Sequence, residues 1–333
     1  MEKSMDLWSG IRKLQLLVLV TCVLLLVSTH VLVNAAGYES PLYIIKQDGK
    51  YGYGDADGHV VIPPVYLQAK RFSEGVAAVQ IQQGFWGMIN TKGEIVGTLR
   101  NVDEVREFSE GLAVVRQGAR YGYIDKKQLV IPFKYDEAED FSEGLAVVAK
   151  RDGNTIMERL NNIKYGYIDP NGTEVIECQF RSAGNFKEGL APVSSEATDF
   201  RWGYIDKEGH YVIEAKYFTA REFSDGLAPV TITLGQSGFI DHQGSVVIPP
   251  QYSWTYSFSE GLARVDVEGK YGFIDKNGNM VIKPIFTYAD DFRDGLARIY
   301  DKSPGFGEDD YKYKDVGFGY IDKHGNVRRQ ITK

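Results

Sequence analysis

The stretch Gly111-Leu-Ala-Val-Val-Arg-Gln-Gly-Ala-Arg-Tyr-Gly-Tyr-Ile-Asp-Lys-Lys-Gln-Leu-Val-Ile-Pro132 sets the reading of this 333-residue chain. It holds three short apolar runs, at 112–115, 121–125 and 129–132, separated by turn residues. β-Branched and aromatic residues bounded by Gly, Asp and Pro are the signature of strands. The stretch therefore predicts a three-stranded antiparallel meander.

The same pattern recurs along the chain. Aromatic-Gly pairs stand at Tyr51-Gly52, Trp86-Gly87, Tyr121-Gly122, Tyr165-Gly166, Trp202-Gly203, Tyr271-Gly272 and Phe318-Gly319, with a degenerate copy at Ser237-Gly238. Their glycines are 35, 35, 44, 37, 35, 34 and 47 residues apart, a period typical of tandem supersecondary units. A second signature, Phe-x-acid-Gly, ends at Gly75, Gly111, Gly144, Gly189, Gly226, Gly261 and Gly295. From each aromatic-Gly glycine to the next of these the separation is 22 to 24 residues, whereas the return leg varies from 11 to 24. All large insertions thus fall in one hairpin of the repeat, and insertions in repeat proteins map to one face.

Turn chemistry is legible residue by residue. The middle strand ends in Asp55, Asp125, Asp169, Asp206, Asp241, Asp275 or Asp322, or in Asn90, whose side chains bond backbone N–H groups two residues on. Three residues later stands a glycine in all but one repeat, suited to positive φ in a bulged hairpin loop; Gln128 breaks the pattern, so its turn must differ. Pro63, Pro132, Pro249 and Pro284 make the third strand an edge, because proline cannot donate to a ladder. Between repeats runs an aromatic-x-x-Ala-x-x-Phe pattern, as in Tyr135/Ala138/Phe141, whose spacing of three predicts a helical or 3₁₀ turn. A single 35-residue repeat buries too little apolar surface to fold alone, so the repeats must stack.

Two signatures in fixed register resemble the WG-repeat family of bacterial β-repeat proteins. Its repeats read roughly Y/W-G-Y-I-D-x-x-G-x-x-V-I-P followed by F-S-E-G-L-A-x-V. The resemblance covers residues 40–331; Ser237 lacks the aromatic, and only Trp86 and Trp202 are literally Trp. It implies a repetitive all-β scaffold and brings no catalytic residue or ligand. The expected fold is all-β, with eight tandem three-stranded meanders. A closed β-propeller-like ring is favoured over an open β-solenoid arc, with Ala77, Ala113, Ala146, Ala191, Ala228, Ala263 and Ala297 near a crowded axis. The polar ending Val327-Arg-Arg-Gln-Ile331 speaks for the arc.

The first 35 residues read separately. Arg12 and Lys13 precede an apolar run at 14–33, then Asn34-Ala35-Ala36, which predicts a signal peptide cleaved after Ala35; the alternative is an uncleaved membrane anchor at 14–33. Cleavage would remove three basic and two acidic residues, moving the formal charge from -7 to -8. An acidic domain is a poor polyanion binder, so nucleic acid is not an expected partner. The expected location is secreted or in the extracytoplasmic cell envelope. Cys178 would be the one remaining thiol, without an intrachain disulfide, and is read as packed.

No catalytic order of Ser, His and Asp, no phosphate loop and no Cys/His pair stands out, so neither enzyme, cofactor nor metal is expected. Asp55-Ala-Asp57-Gly58 lacks the remaining oxygen positions of a calcium loop. The acids Glu74, Glu110, Glu143, Glu188, Asp225, Glu260 and Asp294 recur in every linker, which points to turns, and His59, His210, His242 and His324 are read as solvated turn residues. Asymmetry resides in the inserts at 149–164, 194–201 and 300–317. Their candidate partner-binding residues are Arg151, Met157, Arg159, Phe200, Arg201, Phe306, Asp309, Tyr311 and Tyr313. The expected function is a non-enzymatic binding scaffold for an unknown protein partner, or alternatively a module binding cell-wall or other carbohydrate.

Overall fold

The computed structural model describes residues 41–151, 162–300 and 318–331. The signal or anchor segment lies outside them, as do Met157, Arg159, Phe306, Asp309, Tyr311 and Tyr313. Among the described residues, no helix is long and apolar enough to cross a membrane. Regular structure there is strand throughout, apart from one 3₁₀ turn at Glu196–Thr198.

The strands form eight small antiparallel sheets in two compact bodies, residues 1–102 and 103–333. In the first body lie a three-stranded sheet (Tyr43–Gln47, Lys50–Gly54, Val60–Tyr66) and a four-stranded one (Gln68–Ala69, Val76–Gln82, Phe85–Asn90, Ile95–Arg100). The second body holds six sheets of four strands. The third sheet, Glu104–Ser109, Leu112–Gln117, Arg120–Ile124 and Leu129–Tyr135, contains the stretch first quoted.

The expected meander is present, with one addition. The segment read as a helical or 3₁₀ turn is instead a short strand, such as Glu137–Ala138, that pairs with the next apolar run and makes the sheet four-stranded. The misleading spacing of three arises at a corner. Tyr135 ends one sheet, Ala138 faces Val148 in the next, and Phe141 belongs to the following turn. Each residue sits on a different element, so no helical face is involved.

The glycine of the aromatic-Gly pair has a steric cause. Tyr121 faces Tyr135 and Tyr123 faces Ile131, so the last strand bulges over Gly122. A Cβ on Gly122 would lie 2.4 Å from the Ile131 carbonyl oxygen. Gly52, Gly166, Gly203, Gly238 and Gly272 meet the same obstacle at 2.4 to 2.6 Å. The sixth sheet keeps its bulge although Ser237 replaces the aromatic, so the glycine alone carries this geometry. Prolines follow the bulged Ile in strands that lie at the edge of their sheets, as expected.

Packing joins consecutive sheets within each body. The run Leu-Ala-Val-Val at 112–115 is buried on both faces, which is why it reads as continuously apolar rather than alternating. One core cluster takes Tyr123, Ile131 and Tyr135 from the third sheet with Phe141, Ala146 and Val148 from the fourth, and similar clusters recur. Tyr123 packs against Phe141 with ring centroids 5.0 Å apart, and its hydroxyl donates to the Glu139 carbonyl at 2.8 Å. Tyr53, Tyr167 and Tyr204 repeat both contacts.

Candidate binding surfaces

Three features remain once the core is accounted for: the Phe-x-acid-Gly turns, the inserted hairpins, and a polar corner between the last two sheets.

The turns are structural, and they do more than the sequence implies. Each acid adopts left-handed backbone, as Glu143 does at φ 56, followed by glycine at φ 76 to 87. From Glu110 to Glu260 the carboxylate then reaches the backbone of the next turn. Glu110 accepts from Glu143 N at 2.6 Å and Gly144 N at 2.7 Å; Glu143 in turn accepts from Glu188 N and Gly189 N. The relay continues from Glu188 to Gly226, from Asp225 to Gly261 and from Glu260 to Gly295. Lysines brace it, with Lys207 donating to the Glu143 carbonyl at 2.7 Å and Lys323 to that of Glu260 at 3.0 Å. The hydrogen bond from Lys323 holds the Glu260 carboxyl below its usual range.

His242 departs from the solvated reading. It stacks on Phe223 at 4.2 Å and meets the Glu188 carboxylate at 3.2 Å, whereas the His59 and His210 side chains are 78% and 80% exposed. Asp55, Asp57 and His59 lie within 4.8 Å of one another, but Asp55 accepts from the backbone N–H groups of Asp57 and His59 as an ordinary turn residue.

The inserts at 149–164, 194–201 and 300–317 all lengthen the hairpin between the second and third strands of their sheets. Lys164 and Glu196 form an ion pair at 2.8 Å, which brings the first two inserts together. Arg151 is engaged at the base of its hairpin by Asp136 and Glu137. Phe200 is 55% exposed, and the Arg201 guanidinium lies 3.6 Å from the ring centroid of Phe218. Leu234, at the tip of the same hairpin in the next sheet, is 84% exposed. The sequence reading missed it, because its hairpin carries no insertion; an unpaired Leu between Thr233 and Gly235 was the available signal.

The polar corner was not foreseen. Arg264 pairs in register with Phe273, a place held by Val114 in the third sheet, Val147 in the fourth and Pro192 in the fifth. Its guanidinium stacks 3.7 Å from Tyr256 and stands 5.4 Å from both Tyr271 and Tyr288. The residue is only 5% exposed. Its Nε lies 3.4 Å from Asp291 Oδ1, but the angle makes no hydrogen bond; Nε, Nη1 and that oxygen are buried without a hydrogen-bond partner among the described residues. Leaving a charged group's donors unmet in such a place costs about 1–3 kcal/mol or more. Burial raises the Asp291 carboxyl against the opposing pull of Arg264. Cation–π contact with Tyr256 offsets part of the desolvation of Arg264.

Cys178 is half-buried with its thiol pushed up to about 11 by burial, in keeping with a packed residue.

A model of the family described as WG containing repeat matches residues 51–83, 86–121, 121–153, 165–196, 202–232, 238–271 and 271–301, more than half of the chain. No curated protein matches. The crystal structure of a eukaryotic initiation factor is similar, with a TM-score of 0.58 at 11% identity over 88% of this chain and 86% of its own. Apo AztD from Citrobacter koseri follows at 0.49 and 12%, over 88% and 94%, and BamB from Moraxella catarrhalis at 0.43 and 10%, over 88% and 94%. At such identity the first shows a likeness of fold alone, and the other two are too distant to argue from.

Proposed function

This chain belongs to the WG-repeat family, and from that premise we propose that it is a non-enzymatic binding scaffold that recognises a protein partner through its hairpin face, outside the cytoplasm. The observation that carries this reading is the contrast between turns and hairpins. The turns are tied to one another by a repeated carboxylate relay, whereas the hairpins vary in length and present Phe200 and Leu234 to solvent. The Lys164–Glu196 pair supports a continuous surface across two inserts. Exposed apolar side chains grouped beside arginine mark interaction surfaces, in which aromatic residues and arginine carry most of the binding energy. Export rests on the apolar run at 14–33 and the small residues after it.

The test places a photo-crosslinking residue at 200, at 234 or, as control, at exposed Glu208. One partner should be captured from 200 and 234 and not from 208, and Phe200→Ser with Leu234→Ser should abolish capture while the melting temperature stays within about 2 °C. Equal labelling from position 208 would reject the hairpin face. Cell fractionation and N-terminal sequencing of the product test export; an intact cytoplasmic chain would refute it.

A further inference from the structure

We propose that the corner between the seventh and eighth sheets is a binding site for a sugar carboxylate, that is, a uronic acid residue of a glycan. Its floor is Arg264, with Tyr256, Tyr271 and Tyr288 around it and Asp291 across from it. The chemistry follows from what is left unmet. Arg264 is more than nine-tenths buried and, among the described residues, its Nε and Nη1 make no hydrogen bond. A planar fork of donors fits a carboxylate. Asp291 faces it with an oxygen that also has no donor, so the complementary ligand needs a hydroxyl beside its carboxylate. A neutral sugar supplies the hydroxyl and leaves the fork unmet; a simple carboxylate does the reverse. Uronic acid carries both on one ring, whose apolar C–H face suits tyrosine.

The rest of the repeat supports a dedicated site. The register position of Arg264 is filled by Val114, Val147 or Pro192 in the third to fifth sheets and by a second arginine, Arg298, in the eighth, so the meander forms without arginine there. The position of Asp291, just before the turn phenylalanine, is Asp140 in the fourth sheet and Asn185 in the fifth, where the matching places of the preceding sheets hold Val114 and Val147 rather than arginine. This site is separate from the hairpin face, and its ligand can fail to bind without affecting partner capture there.

The experiment is calorimetric titration of the full chain with trigalacturonate, with the neutral trisaccharide maltotriose, and with a short glutamate-containing peptide. Wild type should bind trigalacturonate and neither of the others. Arg264→Val should weaken binding at least about tenfold while the protein still melts cooperatively, since valine holds this register position in the third and fourth sheets. Arg264→Lys, which keeps the charge and loses the fork, should also weaken it, and guards against a folding failure of the valine variant. Asp291→Asn should reduce affinity by a smaller factor. Absence of trigalacturonate binding by wild type, equal binding of maltotriose, or an unchanged Arg264→Lys affinity would overturn the proposal. Binding of the peptide in place of the sugar would overturn it too.

Discussion

Replacing Gly122 by alanine tests the steric reason for the aromatic-Gly signature. The new Cβ would lie 2.4 Å from the Ile131 carbonyl oxygen and 3.0 Å from Pro132. A relaxed carbon–oxygen contact is about 3.3 Å or more, so the bulged strand must retreat by roughly 0.9 Å. That retreat strains the pairing of Tyr121 with Tyr135 and of Tyr123 with Ile131, and loosens Ile131 and Tyr135 on the retreating strand, which are at most 1% exposed. Two weakened backbone hydrogen bonds at about 1 kcal/mol each, with an overpacking cost of about 1–2 kcal/mol, give a loss of roughly 3–4 kcal/mol. For a body of this size that corresponds to about 10 °C in melting temperature. The control is Gly87→Ala in the second sheet, where pairing runs without a bulge at the glycine and the new Cβ meets only the flexible end of Ile81 at 3.0 Å. Ile81 can turn away, and alanine restricts the unfolded chain, so the net effect should be under about 1 kcal/mol. Thermal unfolding followed by circular dichroism compares the two. If Gly122→Ala melts within about 2 °C of wild type, or Gly87→Ala is equally damaging, the close approach of the bulge is not why glycine stands there.

Two further outcomes are expected. Glu143→Ala removes acceptors from two N–H groups of the next turn and should cost about 2 kcal/mol in urea unfolding, while Glu143→Gly should cost about 1 kcal/mol less because it relieves left-handed backbone strain; equal values for the two, or no difference from an exposed-site Glu208→Ala control, would refute the relay as a source of stability. The Cys178 thiol, raised from 9.0 to about 11, should resist a thiol reagent at pH 8 until the protein unfolds. Its contribution to stability should be complete below pH 9 and fall as pH rises toward 11, because the unfolded chain ionises first; a Cys178→Ala variant with the same alkaline stability profile as wild type would contradict this.

Most of the strand pattern was legible because its causes are local. Asp241 accepts from Gln243 N and Ser245 N, and Gly244 has φ 75, as turn chemistry requires. The Asp125 turn, where Gln128 replaces glycine, closes one residue sooner, from Asp125 N to the Gln128 carbonyl. The short strand at Glu137–Ala138 was misread, since its spacing mixes residues of two sheets and a turn. The candidate sites were less visible. Phe200 and Arg201 were found by an insertion, but Leu234 had none, and Arg264 looked like one more variable residue in an apolar run.

By itself the sequence determined the repeat length, the three meander strands with their turns, and the point where insertions enter, because each depends on backbone preferences within a few residues. Only the tertiary structure decided that Glu110 would bond a turn 33 residues on, that Lys164 would meet Glu196, and that Arg264 would face Asp291 inside a ring of tyrosines. Those pairings are set by how consecutive sheets pack, and side chains that meet across sheets leave no fixed spacing in the chain to announce them.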